Sequence, residues 1–85
     1  MKNISLTKEA SLHLAEWMKT DPQVMEKIIS LLAEIAKSPF EGSGKPVPLK
    51  DQLKGKWSRR INQAHPIVYE VKDENVIILS CRYQY

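Results

Sequence analysis

Eighty-five residues, 42% hydrophobic and 27% charged, suffice for one domain (residues 1–85) with the composition of a foldable chain, and so small a core gains stability from a partner or a second copy. No apolar run is long enough to span a bilayer and the N-terminus lacks the basic, apolar start of a signal peptide, which argues against a membrane and makes the cytoplasm the expected location. The net charge of +3 is uneven: residues 37–60 hold seven cationic side chains against two acidic ones, whereas residues 1–36 and 61–85 each sum to −1, so one basic segment faces an anionic partner such as RNA, DNA or an acidic protein segment.

Residues 3–6 are short and partly apolar, compatible with an edge strand. Thr7 is placed as an N-cap, and residues 8–19 carry Ala10, Leu14, Trp17 and Met18 at helical spacing. Asp21 and Pro22 form a cap followed by a first-turn proline, after which Val24, Ile28, Leu31, Leu32, Ile35 and Ala36 recur on one face. The tight connection at Thr20 and Asp21 predicts an antiparallel helical hairpin whose apolar stripes share a core, with Trp17, Met18 and the 28–35 stripe in that core or a subunit interface. His13, between Glu9 and Glu16, is expected to face solvent.

Ser38 and Pro39 stop the second helix, and residues 40–48 hold Gly42, Gly44, Pro46 and Pro48, a loop signature. Residues 56–62, 65–71 and 76–83 alternate or are rich in Val, Ile and Tyr, as strands are, with turns at 62–64 and 72–75. The expected fold is α+β: an N-terminal helical hairpin packed on a small antiparallel sheet, with a possible N-terminal edge strand. Cys81, the single cysteine, reads as a buried small side chain. His13 and His65 have no thiol cluster beside them, so neither a metal nor another cofactor is expected.

Within Lys56 to Asn62, Arg59 and Arg60 are adjacent and so point to opposite faces. Arg59 shares a face with Trp57 and Ile61 and is assigned to sealing the sheet by stacking on a ring, leaving Arg60 for an anionic ligand. His65 opens a strand after a turn, where a hydrogen-bonded structural role is the commoner one. Glu41 is the carboxylate within the basic loop, where pairing with a neighbouring lysine is the simpler account.

The order Pro39-Phe40-Glu41-Gly42, Gly44-Lys45-Pro46, Pro48-Leu49-Lys50, Leu53, Trp57-Ser58-Arg59-Arg60-Ile61-Asn62, His65, Val68-Tyr69 and Ser80-Cys81-Arg82-Tyr83 with a terminal Tyr85 resembles the YoeB/Txe toxins of the RelE superfamily. The resemblance implies a RelE-like fold and a ribosome-associated mRNA endonuclease, or mRNA interferase, that acts on mRNA in the ribosomal A site and is silenced by a YefM/Phd-type antitoxin. It also implies cleavage without a metal, with the ribose 2′-hydroxyl as nucleophile. Such chemistry needs a base, cations for the developing charge and an acid for the leaving oxygen.

By that resemblance Val47 occupies the place of a glutamate base, Pro66 that of an arginine on the scissile phosphate, and Gln84 that of a histidine before the terminal Tyr85. Val47, Pro66, Gln84 and Tyr85 are therefore the candidate catalytic positions, three of them substituted. Lys45, Lys50, Lys54, Lys56, Arg60, His65 and Arg82 are the candidate RNA contacts, and Tyr83 and Tyr85 would share a strand face on which a base could stack. The expectation is a toxin with reduced cleavage. The alternative is a non-catalytic relative that binds antitoxin, ribosome or both; on either reading an acidic antitoxin tail is expected to enter a groove between helices and sheet. A homodimer is compatible with either.

Overall fold

The computed structural model describes residues 1–82. In chain order the elements are β1 (Asn3–Leu6), α1 (Lys8–Thr20), α2 (Pro22–Lys37), β2 (Val47–Pro48), a 3-10 turn (Asp51–Leu53), β3 (Lys56–Arg60), β4 (Pro66–Lys72) and β5 (Asn75–Ser80). The helices start where their caps place them. The Thr7 hydroxyl accepts the Ala10 amide at 3.1 Å, and the Asp21 carboxylate accepts the Val24 amide at 3.4 Å with Pro22 in the first turn, each satisfying an amide that has no partner within its helix.

The sheet has five strands in the order β1-β5-β4-β3-β2. The meander β3-β4-β5 is antiparallel, as its alternation predicts, but the sheet extends further at both edges. At one edge β1 pairs parallel with β5, so the sheet is mixed. At the other, Val47 and Pro48 form a two-residue strand opposite Ser58 and Trp57 inside the segment read as loop; an edge position tolerates prolines that cannot donate to a ladder. One extra residue in β5 makes a bulge, since Val68 faces Ser80 while Tyr69 faces Ile78.

Ile28, Leu31 and Ile35 of α2 and Ala10 and Trp17 of α1 pack in one cluster with Ile67, Tyr69, Val76 and Ile78 of the sheet. Met18 is 63% exposed, so of the two places open to it, core or subunit interface, the core is excluded. His13 is not solvent-facing either: its Nδ1 accepts the amide of Cys81 at 3.1 Å, and Trp17 Nε1 donates to the carbonyl of the same residue at 2.8 Å. Side chains of α1 thus hold the backbone of Cys81 where it leaves β5. Burial pushes the Cys81 thiol up to about 11, which suits a packing residue and not a nucleophile.

Candidate functional site

Strand alternation sends Trp57, Arg59, Ile67 and Tyr69 toward the helices and leaves Ser58, Arg60, Pro66 and Val68 on the opposite face. There a cavity of about 410 Å³ is lined by Val47 and Leu49 from the β2 segment, Leu53 from the 3-10 turn, Ser58 and Arg60 from β3, Asn62 to His65 from the following turn, and Pro66 and Val68 from β4. Four candidate residues, Val47, Arg60, His65 and Pro66, meet in this cavity. Register explains the meeting, because Arg60 pairs with Pro66 and Val47 with Ser58, two residues earlier on the same face.

The other candidates are placed elsewhere. Lys45, Lys50 and Lys54 are exposed on the β2 segment and the 3-10 turn, outside the lining. Lys56 lies on the same face of β3, opposite Glu70. Arg82 sits over the Trp17 ring at 5.0 Å and within 3.9 Å of Glu16, against α1. Gln84 and Tyr85, and Tyr83 with its stacking role, lie outside the described residues.

His65 is held at both ends of its residue. Its backbone amide donates to the Asn62 carboxamide oxygen at 2.9 Å, which also closes the β3-β4 turn, and its ring meets Trp17 edge-on at 4.8 Å. Desolvation, and then the charge of Arg82, lower its pKa and favour the neutral imidazole. Arg60 is exposed and supplies a cation to the cavity, and Ser58 a hydroxyl. Among the described residues no carboxylate lines it.

Arg59 does turn inward, with no exposed surface, but its guanidinium is held by hydrogen bonds and an ion pair instead of the ring stacking expected for it. Nε donates to the Tyr69 hydroxyl at 3.2 Å, Nη1 to the Ser43 carbonyl at 3.3 Å, and Nη2 to the carbonyls of Glu41, at 2.7 Å, and Ser38. The Glu34 carboxylate lies 3.6 Å from Nη1, and the Tyr69 hydroxyl donates onward to the Pro39 carbonyl at 2.6 Å. Glu41 thus serves through its backbone. A second cavity of about 300 Å³ opens beside this network, lined by Glu34, Lys37, Ser38, Glu41 and Gly42.

Sequence reasoning missed Ser58, Leu49, Leu53 and Val68 as lining residues. Ser58 carried a usable signal, being two residues before Arg60 in the same strand. Leu49 and Leu53 carried none, because their approach depends on the path of the 3-10 turn.

Residues 6–85 match the family described as the YoeB-like toxin of bacterial type II toxin–antitoxin systems. The chain is 48% identical over 69 residues to the toxin YoeB of Escherichia coli strain K12, a span covering 81% of this chain and 82% of the relative. It superposes on the structure of a YoeB dimer from Staphylococcus aureus with a TM-score of 0.90 at 39% identity, covering 99% of this chain and 98% of that one. For a YoeB–YefM complex from the same organism the TM-score is 0.89 at 37% identity, with 100% and 99% covered.

Proposed function

The chain belongs to the YoeB-like toxin family and is the toxin component of a type II toxin–antitoxin system; from that premise we propose that it is an mRNA interferase of strongly reduced turnover, directed at mRNA in the ribosomal A site. The observation that carries the reading is the cavity in which Val47, Arg60, His65 and Pro66 meet. Arg60 stabilises charge developing on a phosphate there, and Lys45, Lys50, Lys54 and Lys56 hold the RNA strand around it. By the family resemblance Gln84 and Tyr85, which lie outside the described residues, are the further catalytic positions, and Arg82 is a further RNA contact.

Among the described residues the carboxylate base is what is lacking. Val47 has no lone pair to take a proton from a 2′-hydroxyl, and Pro66 cannot grip a phosphate. A positioned base contributes on the order of 10²–10⁴ in rate, whereas cation positioning survives its loss, so binding persists as cleavage falls. The absence of a lining carboxylate among the described residues favours a second reading, a non-catalytic member that acts only by binding antitoxin or ribosome.

In either case the partner is a YefM/Phd-type antitoxin, as in the S. aureus YoeB–YefM complex, and self-association as in the S. aureus dimer is available to the free chain. The working compartment is the cytoplasm, the chain acts as one domain, and the chemistry uses no cofactor. Among the described residues no helix is long and apolar enough to cross a membrane.

The test uses ribosomes programmed with a defined mRNA and primer extension, comparing the chain with its Val47→Glu/Pro66→Arg/Gln84→His variant. Weak A-site cuts by the chain, strengthened in the variant, are the expected result. Cuts by the variant alone move the chain to the non-catalytic reading, and silence from both removes the interferase assignment.

A further inference from the structure

The segment from 38 to 46 joins α2 to β2, and its path is fixed twice, by side chains on the helix side of the sheet and by the backbone of β3. On the helix side the guanidinium of Arg59 gathers the carbonyls of Ser38, Glu41 and Ser43. Glu34, on α2, accepts the Ser43 amide at 3.0 Å and pairs with Arg59 at 3.6 Å. Gly42, at φ 121°, fits because it has no Cβ; one built there would stand 2.9 Å from Glu34 Oε1 and 3.1 Å from Arg59 Nη1. On the β3 side the Gly44 carbonyl accepts the Arg60 amide at 2.7 Å. Lys45 follows with φ 51°, and then Val47 forms one wall of the cavity.

We propose that Glu34 is a positioning residue for the cavity: by holding the Ser43 amide against Arg59 it fixes the course of residues 43–47 and so the place of the Val47 wall. The Glu34 side chain is 40% exposed. An ion pair at such a site ordinarily does little for global stability. Its hydrogen bond, however, closes a loop whose next residues enter the site, so its loss acts locally. The Ser43 amide is the first cause, ahead of Arg59, that holds the Glu34 carboxyl below its usual range, consistent with a bond made to the ionised form. In its consequence for RNA the inference rests on the interferase reading; in its consequence for the Val47 wall it does not.

The experiment compares the full chain with Glu34→Ala and Glu34→Gln. Amide hydrogen exchange is followed at Ser43 and Arg60, the methyl resonances of Val47 report the wall, and a short fluorescent single-stranded RNA reports binding. Glutamine keeps an acceptor for Ser43. The expected result is exchange about tenfold faster at Ser43 and Arg60 in Glu34→Ala, with exchange at Val68 and Tyr69 unchanged. Shifted Val47 methyls and weaker RNA binding accompany it, and Glu34→Gln recovers most of each. Unchanged exchange at Ser43 and Arg60, or faster exchange with Val47 unmoved, overturns the proposal, as does a loosening that reaches Val68 and Tyr69 equally. A wild-type chain that binds no RNA counts against the interferase reading alone, because the exchange and methyl measurements still decide the role of Glu34.

Discussion

Arg60 and Pro66 are partners across the β3-β4 ladder, so a rigid apolar ring stands beside the guanidinium that serves the cavity. Val47 lies on the same face, one diagonal step away opposite Ser58; diagonal neighbours in a sheet are about 7 Å apart. A carboxylate at 47 would therefore come within reach of a phosphate held at Arg60. Val47→Glu is expected to raise A-site cleavage about 100-fold, the lower end for a positioned base. Val47→Leu, which offers no proton acceptor, leaves cleavage unchanged. Val47 is 46% exposed, so both variants should melt as the parent does, within about 0.5 kcal/mol. Equal cleavage by the two variants would separate position 47 from proton transfer.

The adjacent arginines should give opposite results. Arg59→Met leaves the carbonyls of Ser38, Glu41 and Ser43 without the donor that now serves them, and breaking such a buried network costs about 3–5 kcal/mol. Arg60→Ala removes an exposed side chain and should change stability by no more than about 0.5 kcal/mol. Urea titration reads the first effect. RNA titration over a salt series reads the second, as weaker binding with a salt slope shallower by about 0.7 per lost phosphate contact.

The contrast between Arg59 and Arg60 also marks how far the sequence can be read. Strand alternation with Trp57 and Ile61 suffices to turn Arg59 inward, but its partners are carbonyls of a loop whose path no periodicity encodes. The caps at Thr7 and Asp21 and the α2 stripe are legible because helix signals are local. The mixed sheet is not, since the β1-β5 ladder joins residues 3–6 to 75–78. His13 misleads for the same reason: its neighbours along the helix are acidic, but its hydrogen-bond donor, the Cys81 amide, is 68 residues away. Of the cavity, Arg60 could be read from strand facing, whereas Val47 and Pro66 are apolar and became site candidates only through resemblance to a family in which other residues stand there.

His65 should make stability depend on pH. Its folded pKa lies below the ordinary 6.5, through burial first and then Arg82. The unfolded chain therefore takes up this proton before the folded one does. The contribution is fully present above the unfolded pKa and is lost as pH falls from there through the lower folded value. Urea midpoints at pH 7.5 and pH 5.5 should fall further for the parent than for His65→Gln. Glutamine also loses the edge contact with Trp17, so the comparison is between the two differences and not between the midpoints themselves. Parallel declines would place the acid sensitivity elsewhere.

Gly44 and Gly55 both have positive φ, 82° and 93°, yet they should not respond alike to alanine. At Gly55 an added Cβ meets nothing within 4 Å, so Gly55→Ala incurs only backbone strain, about 1 kcal/mol. At Gly44 the same atom would stand 2.8 Å from the Arg60 carbonyl oxygen and 3.2 Å from its amide nitrogen. Neither is the end of a flexible side chain; both belong to β3, which is paired on both sides. The loop must yield instead, which strains the Gly44 to Arg60 hydrogen bond and displaces Lys45 and Val47. Gly44→Ala is therefore expected to cost about 2–4 kcal/mol, in the range of core overpacking with added strain, and to weaken RNA binding at temperatures where the variant is still folded. Thermal melts and RNA titrations of the two variants side by side check this. Equal melting temperatures would mean that the loop shifts freely past β3, and that the cavity wall is not anchored at Gly44.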